Sequence, residues 1–160
     1  MKTLRLAAWS GAALLFLATA TFSEEAGAPR PGPRDKCPVC GMFVSKYPDW
    51  TAAATLPDGS TVWFDGAKDL FKFLADPGSF LPGRKAVDVR IVTVTDYYSV
   101  KPFDAREAFF VVGSDVFGPM GKELVPFARR AEADEFLRDH KGKRVLGYGD
   151  VNRAVLAALE

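Results

Sequence analysis

Residues 60–74, STVWFDGAKDLFKFL, carry the pattern that decides the fold of this chain. The first part, 60-STVW-63, is rich in β-branched and aromatic residues, which are typical of a strand. The second part, 67-AKDLFKFL-74, has the apolar spacing of a helix, and Asp65 lies where an N-cap residue is expected. The stretch therefore predicts a strand that passes directly into a helix.

The flanking residues extend this pattern in both directions. On the N-terminal side, 51-TAAATL-56 predicts a strand, and Asp58-Gly59 is a strong signal for the turn of a hairpin. On the C-terminal side, 87-VDVRIVTV-94 predicts a third strand. The resulting unit has the order strand, strand, helix, strand, and it buries only one sheet face against one helix. Such a unit is marginally stable alone, so we expect a second unit to pack against it.

A faint internal repeat supplies that second unit. In each half of the chain, a phenylalanine at a strand end precedes a Phe-Leu pair at the same distance: Phe64 before Phe73-Leu74, and Phe127 before Phe136-Leu137. The second half has its own strand-like and helical runs, namely 108-AFFVV-112, 123-ELVP-126, 131-AEADEFLRDH-140 and 144-RVLGY-148. We therefore predict an α+β fold in which two small related lobes of ββαβ type pack together, with a C-terminal helix over 150–160.

The N-terminus has the features of an export signal. Lys2 and Arg5 form a short positive region, 6-LAAWSGAALLFLA-18 is apolar, and Ala18-Thr19-Ala20 is a small-x-small cleavage site. We predict cleavage after Ala20 and a periplasmic protein, and the alternative is an uncleaved membrane anchor. No cysteine lies near the cleavage site, so no lipid anchor is predicted.

The remaining residues divide into three predicted parts. Residues 21–36 are rich in Pro, Gly and charge, which indicates a flexible linker. Residues 37–100 form the first predicted lobe, and residues 101–160 form the second.

Composition argues against several classes of function. The formal net charge is +1 and the chain has no basic run, so no nucleic-acid partner is expected. The sequence shows no nucleophile–base pair and no phosphate-binding loop, so the protein is not expected to be an enzyme. Asp65 and Asp69 are spaced for one helix face, but we expect them to cap and solvate the helix. His140 is expected to be a solvated surface residue.

Both cysteines of the chain lie in 36-KCPVCGMFVSKYPDW-50. A structural zinc site needs four ligands, typically Cys or His, and this chain has two cysteines and one histidine. An iron–sulfur cluster is excluded for the same reason, because the chain has too few cysteine ligands for it. Covalent haem requires a histidine directly after the second cysteine, where Gly41 stands. Three interpretations remain: a redox pair, a structural disulfide and a soft-metal site.

The first two interpretations have weak support. A thioredoxin-like pair belongs at a helix start after a strand, whereas this motif follows a linker and precedes 43-FVSKYPDW-50, which has no helical period. A Cys37–Cys40 disulfide is compatible with export, but the short loop it closes gains little stability.

A soft-metal site is the third interpretation. Cys40 and Met42 place a thiolate and a thioether two residues apart, a pair that selects Cu(I) over harder ions. Cu(I) accepts two or three ligands, so one more donor would suffice. Cys37 is one candidate, and Met120, in the turn-rich segment GPMG, is the other.

The chain resembles a known family at this point. Five segments together are similar to the nitrous oxide reductase accessory protein NosL: 37-CPVCGMFVSKYPDW-50, 58-DGSTVWFDGAKDLFKFL-74, 104-DAREAFFVVGSD-115, 118-GPMGKELVPF-127 and 145-VLGYGDV-151. The resemblance implies an exported Cu(I)-binding metallochaperone of denitrification with two related lobes. Its implied copper acceptor is nitrous oxide reductase or the machinery that matures it. Cys40 and Met42 match the family's Cys-x-Met element, and Met120 matches a methionine of the second lobe.

Two departures from the family pattern affect this expectation. Many members are lipoproteins, whereas this chain lacks the lipobox cysteine. Members also often have a histidine before the second lobe, a candidate copper ligand, but here the stretch is 96-DYYSVKPFDA-105. The third donor therefore differs, with Cys37 or Met120 as candidates, or copper binds less tightly, or the copper client is a different protein.

Overall fold

The computed structural model describes residues 29–81 and 89–160. Within them, the strands are β1 (Ala52–Thr55), β2 (Thr61–Phe64), β3 (Ile91–Thr95), β4 (Pro102–Asp104), β5 (Phe109–Val112), β6 (Phe117–Gly118), β7 (Gly121–Lys122), β8 (Val125–Phe127) and β9 (Arg144–Gly147). The α-helices are α1 (Ala67–Ala75), α2 (Pro77–Phe80), α3 (Arg130–Asp139) and α4 (Arg153–Ala157). All strand pairs are antiparallel, so the predicted α+β class is confirmed.

The first sheet has the order β2-β1-β3-β4. Its β1–β2 hairpin turns at Asp58-Gly59, as the sequence predicts. Gly59 has φ +83°, a left-handed conformation that favours glycine, and the Asp58 carboxylate accepts a hydrogen bond from the Ser60 backbone at 2.9 Å. The turn sets a register in which Ala52 pairs with Phe64, which brings the buried end of β2 to the start of α1.

The second sheet, of order β8-β5-β9, repeats the arrangement of β2, β1 and β3. The aromatic pairs behind the sequence repeat occupy matching places in the two lobes. The Phe64 and Phe73 rings lie 5.2 Å apart, and the Phe127 and Phe136 rings lie 5.0 Å apart. All four rings are fully buried, so each lobe is built around one strand–helix aromatic contact.

Helix α1 lies between the two lobes. Phe73 packs toward β2 of the first sheet, while Phe71 meets Phe110 of β5 edge-to-face at 5.2 Å. The side chains of β5 alternate, because Phe110 and Val112 join the core around α1 whereas Val111 joins the core around α3. The layers are therefore sheet, helix, sheet, helix, and α1 is buried on most of its surface.

Several element bounds differ from the sequence predictions. Strand β4 pairs with β3, so the first sheet extends past residue 100, although the lobe boundaries themselves stay a prediction. Residues 87 and 88 of the predicted third strand lie outside the described residues. The C-terminal helix is shorter than predicted, because the Asn152 side chain caps it at Arg153.

The predicted signal peptide lies entirely outside the described residues, and so does the linker up to residue 28. Across the described ranges, no helix is long and apolar enough to cross a membrane.

Candidate metal site

A tight loop from Cys37 to Met42 presents both thiols. The Cys37 backbone N–H donates to the Met42 carbonyl at 2.9 Å, and the Gly41 N–H donates to the Cys37 carbonyl at 2.8 Å. Gly41 has φ +81°, which the glycine allows without steric strain. An isolated bridge between Lys36 and Phe43 closes the base of the loop. Because the loop returns on itself, the two cysteines reach the same side of the first lobe.

Two carboxylates meet these thiols from the start of α1. The Cys37 thiol donates to Asp69 Oδ2 at 3.3 Å, and the Cys40 thiol donates to Asp65 Oδ1 at 3.1 Å. One ligand atom from each of the four side chains lies within 4.8 Å of the others. Asp65 and Asp69 are only 1% and 3% exposed. The four side chains together form what we call the thiol–carboxylate cluster.

One atom of this cluster has unused hydrogen-bonding capacity. Asp65 Oδ2 is buried and has no hydrogen-bond partner among the described residues. A buried carboxylate oxygen without a partner is costly, because it has lost the water that would otherwise solvate it. The unpartnered oxygen therefore indicates a place where a cation can bind.

Both thiols are poor acids. Burial raises the pKa of the Cys37 thiol far above its usual range, and the neighbouring Asp69 carboxylate raises it further. Burial likewise raises the pKa of the Cys40 thiol to about 12, and its hydrogen bond to Asp65 adds to the shift. Both cysteines are free thiols. A metal that binds here must therefore displace thiol protons.

The expected role of the two aspartates was wrong. The N-cap residue of α1 is Gly66, and Asp65 makes no capping hydrogen bond. Neither aspartate is solvated, since both are buried against the cysteine loop. The spacing of four residues that places them on one face was visible in the sequence. What the sequence did not reveal is that this face points toward the cysteines.

The two candidate methionines lie at different depths. Met42 is half-buried beside Cys40, while Met120 is 45% exposed on the β6–β7 turn. The Met120 carbonyl accepts a hydrogen bond from Lys68 Nζ at 2.9 Å, which holds that turn beside α1. The structure thus brings Cys37 and Cys40 together, and metal binding by either methionine stays a prediction.

The histidine lies at another part of the molecule. His140 directly follows the last residue of α3, stacks on Phe136 with a ring separation of 4.3 Å, and has Nδ1 3.2 Å from an Asp115 carboxylate oxygen. Its contacts belong to the second lobe, and its role as a non-ligand stays a prediction.

A carboxylate of the second lobe supports the start of α1. Glu123 Oε1 accepts hydrogen bonds from the backbone N–H groups of Lys68 at 2.6 Å and Leu124 at 2.9 Å. Glu123 thus caps α1 from a distant part of the chain. Burial raises the pKa of the Glu123 carboxyl to about 7. Sequence reasoning missed this residue, since nothing local links it to α1.

The fold and the cluster together define a small α+β protein with a thiol-containing candidate metal site. The family model for NosL matches residues 30–156, and the chain belongs to that family.

Two similar proteins support this assignment. A protein of Stutzerimonas stutzeri named copper-binding lipoprotein NosL is 31% identical over 130 residues, a match that spans 76% of this chain and 64% of that protein. The chain thus covers slightly less than two thirds of that relative. The crystal structure of the copper chaperone NosL from Shewanella denitrificans has a TM-score of 0.68 at 26% identity, covering 79% of this chain and 96% of that one.

Proposed function

We propose that this chain is a periplasmic Cu(I)-binding metallochaperone that delivers copper to nitrous oxide reductase while the copper centres of that enzyme mature. The observation that carries the proposal is the pair of free thiols gathered on one loop beside the half-buried Met42. Membership of the family supports it, because the two relatives are named as copper-binding and as a copper chaperone.

The proposed binding pair is Cys40 and Met42. Cys40 and Met42 are both half-buried, whereas Cys37 is only 1% exposed, so Cys40 and Met42 are the sulfur-containing residues of this loop that a partner can approach. Copper enters as Cu(I), the Cys40 proton leaves, and the thioether completes a low-coordinate site. Cys37 or Met120 supplies a third donor.

Transfer then proceeds by ligand exchange. A sulfur or imidazole of the acceptor binds the exposed side of the ion, a shared intermediate forms, and the bonds to Cys40 and Met42 break. Because few ligands hold the ion, the barrier to this exchange is low. The protein makes and breaks no covalent bond of a substrate, so we propose that it is a carrier and not an enzyme.

The thiol environment argues against a redox function. Thiols that exchange with disulfides have lowered pKa values, because the thiolate is the attacking group. Here the pKa values of both thiols are raised. A purely structural adaptor with a Cys37–Cys40 disulfide is also not favoured, since the two thiols are free and each donates to a carboxylate.

The test is a titration of the reduced protein with Cu(I) under anaerobic conditions, in competition with a chromophoric chelator. We expect one Cu(I) per chain. Met42→Leu and Cys40→Ser should each lower the affinity by at least about a hundredfold, because each removes one of the few ligands. His140→Ala is the matched control and should leave the affinity unchanged, since His140 pairs with Asp115.

Two further variants identify the third donor. A loss of affinity in Met120→Leu but not in Cys37→Ser would assign it to Met120, and the reverse result would assign it to Cys37. A wild-type protein that fails to compete with a weak chelator would rule out the copper function. Equal affinities for wild type, Met42→Leu and Cys40→Ser would place the copper elsewhere.

A further inference from the structure

We propose that a groove of the second lobe binds a partner protein through an acidic segment that carries one large apolar side chain. The groove lies between the β6–β7 hairpin, the start of β9 and helix α4, and we call it the basic groove. This interaction goes beyond the copper function and does not require it.

The inner part of the basic groove is apolar. It is lined by the buried residues Val112, Val155 and Leu159 and by the ring of Phe117. The groove has a volume of about 220 Å³. A cavity of about 150 Å³ is enough to hold a benzene molecule. The groove can therefore take one large apolar side chain.

Positive charge surrounds this apolar part. The charged residues that line the groove are Lys122, Lys143 and Arg144, all of them exposed, and no carboxylate of the described residues lines it. Lys122 Nζ donates to the Glu160 carbonyl at 3.4 Å. Lys143 and Arg144 form no ion pair in the part of the chain that the structure describes. Because like charges that lie close together repel, an acidic partner would relieve this repulsion.

The fold holds Lys143 at the edge of the groove. Its backbone N–H donates to the Val112 carbonyl at 2.8 Å. Its aliphatic stem lies against Gly113, where an added Cβ would come within 2.8 Å of the stem. Gly113 also has φ +75°, a left-handed conformation that favours glycine. The glycine thus permits the close approach that keeps Lys143 beside the groove.

Phe117 indicates the kind of partner. Its ring is 64% exposed, and Met120, on the turn of the same hairpin, is 45% exposed. Exposed aromatic side chains beside an apolar recess are typical of protein interfaces, in which apolar anchors are enclosed by a polar rim. A membrane surface fits less well, since the cations surround a recess instead of extending from a protruding face. The occupant is therefore a protein segment with acidic residues on both sides of one apolar side chain.

The probe is a dye-labelled peptide in which one phenylalanine has glutamates on both sides, and the measurement is fluorescence anisotropy with the reduced protein. We expect saturable binding of one peptide per chain, weakened by salt because the charges are exposed. Peptide-induced changes in amide NMR spectra should be largest at groove residues such as Gly113 and Leu159. Two control peptides, with serine in place of the phenylalanine or lysines in place of the glutamates, should bind at least about tenfold more weakly.

Variants of exposed residues test the groove itself. Phe117→Ala and the double variant Lys143→Gln/Arg144→Gln should each weaken peptide binding at least about fivefold, and the double variant should also lower its salt dependence. The double variant Lys101→Gln/Arg138→Gln is the matched control, because it removes the same two side-chain types from exposed sites away from the groove. It should bind like the wild type. Unchanged amide spectra outside the groove demonstrate that each variant folds.

Four results would overturn the proposal. The first is no saturable peptide binding, and the second is equal binding of the serine peptide or the lysine peptide. The third is binding to vesicles of anionic lipid, but not to the peptide, that Lys143→Gln/Arg144→Gln abolishes, which would make the groove a membrane contact. The fourth is self-association in sedimentation that the same variant abolishes, which would make the occupant a second copy of the chain. The Cu(I) titration decides the copper function separately, so failure of one proposal is not failure of the other.

Discussion

At the scale of single residues, the main feature of this protein is that the pKa values of its two thiols are raised, so both thiols are protonated near neutral pH. Cys40 is half-buried and hydrogen-bonded to Asp65, while Cys37 is almost fully buried and hydrogen-bonded to Asp69. Burial and the neighbouring carboxylates raise both thiol pKa values well above neutral pH. Each thiol that binds a metal therefore releases one proton, so the slope of metal affinity against pH gives the number of thiolates bound.

We predict that Cu(I) affinity rises about tenfold for each pH unit between about pH 6 and about pH 8, because one thiol proton is displaced throughout this range. This slope corresponds to Met120 as the third donor, with Cys37, the more buried thiol, keeping its proton, so Cys37→Ser should leave the slope unchanged. The measurement is the chelator competition at several pH values, corrected for protonation of the chelator. If the Cu(I) affinity of the wild type rose a hundredfold per pH unit and that of Cys37→Ser only tenfold, both thiolates would bind Cu(I).

At the scale of secondary-structure elements, α1 organises the site. Asp69 lies in its first turn, and Asp65 lies just before its N-cap residue, Gly66. The N-terminal end of the helix therefore stabilises the negative charge of the thiol–carboxylate cluster. Its own N-terminal N–H groups are capped from the second lobe by Glu123, which lies so close to Gly66 that a Cβ there would collide with the carboxylate. The helix start is thus fixed by residues from both lobes.

Glu123 should make stability depend on pH. Its pKa in the folded protein is about 7, above the ordinary value of about 4.5. A carboxyl with a raised pKa favours folding when protonated, so its contribution is full below about pH 4.5 and is lost as pH rises through about 7. Glu123→Gln does not titrate and keeps an oxygen that accepts from Lys68. Between about pH 5 and about pH 8 the wild type should lose on the order of 3 kcal/mol more stability than the variant.

Urea unfolding at the two pH values measures this difference. Glu135→Gln, on the exposed side of α3, is the matched control and should follow the wild type. Parallel pH dependence of wild type and Glu123→Gln would contradict the prediction and would show that Glu123 stays ionised when buried.

The elements could be predicted from the sequence, but the site could only be predicted in part. Strand and helix periods, the Asp58-Gly59 turn and the Phe64/Phe127 repeat are local signals, and the structure contains each of them. Asp65 and Asp69 were interpreted as solvated because charged residues are usually exposed. Only the packing of the cysteine loop against α1 buries them, and that contact joins residues far apart in the chain.

At the scale of the whole molecule, the two lobes share one helix. The contact between the Phe71 and Phe110 rings joins α1 to the second sheet. The centre of the Phe71 ring also lies 5.2 Å from the centre of the Tyr148 ring. The main hydrophobic core contains residues of both lobes, whereas the core around α3 belongs mainly to the second. The repeated arrangement thus gives two sheets that share the core around α1, and we expect the two lobes to unfold together.

Phe71→Ala tests this coupling. Removal of a buried phenylalanine usually costs ~3–5 kcal/mol, and here it opens a cavity between α1 and β5. If the lobes unfold as one unit, native-state hydrogen exchange should show β1 and β5 amides losing protection by the same amount. Phe117→Ala is the control, because Phe117 is 64% exposed and its removal should change protection by less than ~0.5 kcal/mol. Loss of protection confined to β1 would mean that the second lobe stays folded without its contact to α1, and that the cysteine loop can open while β5 remains in place.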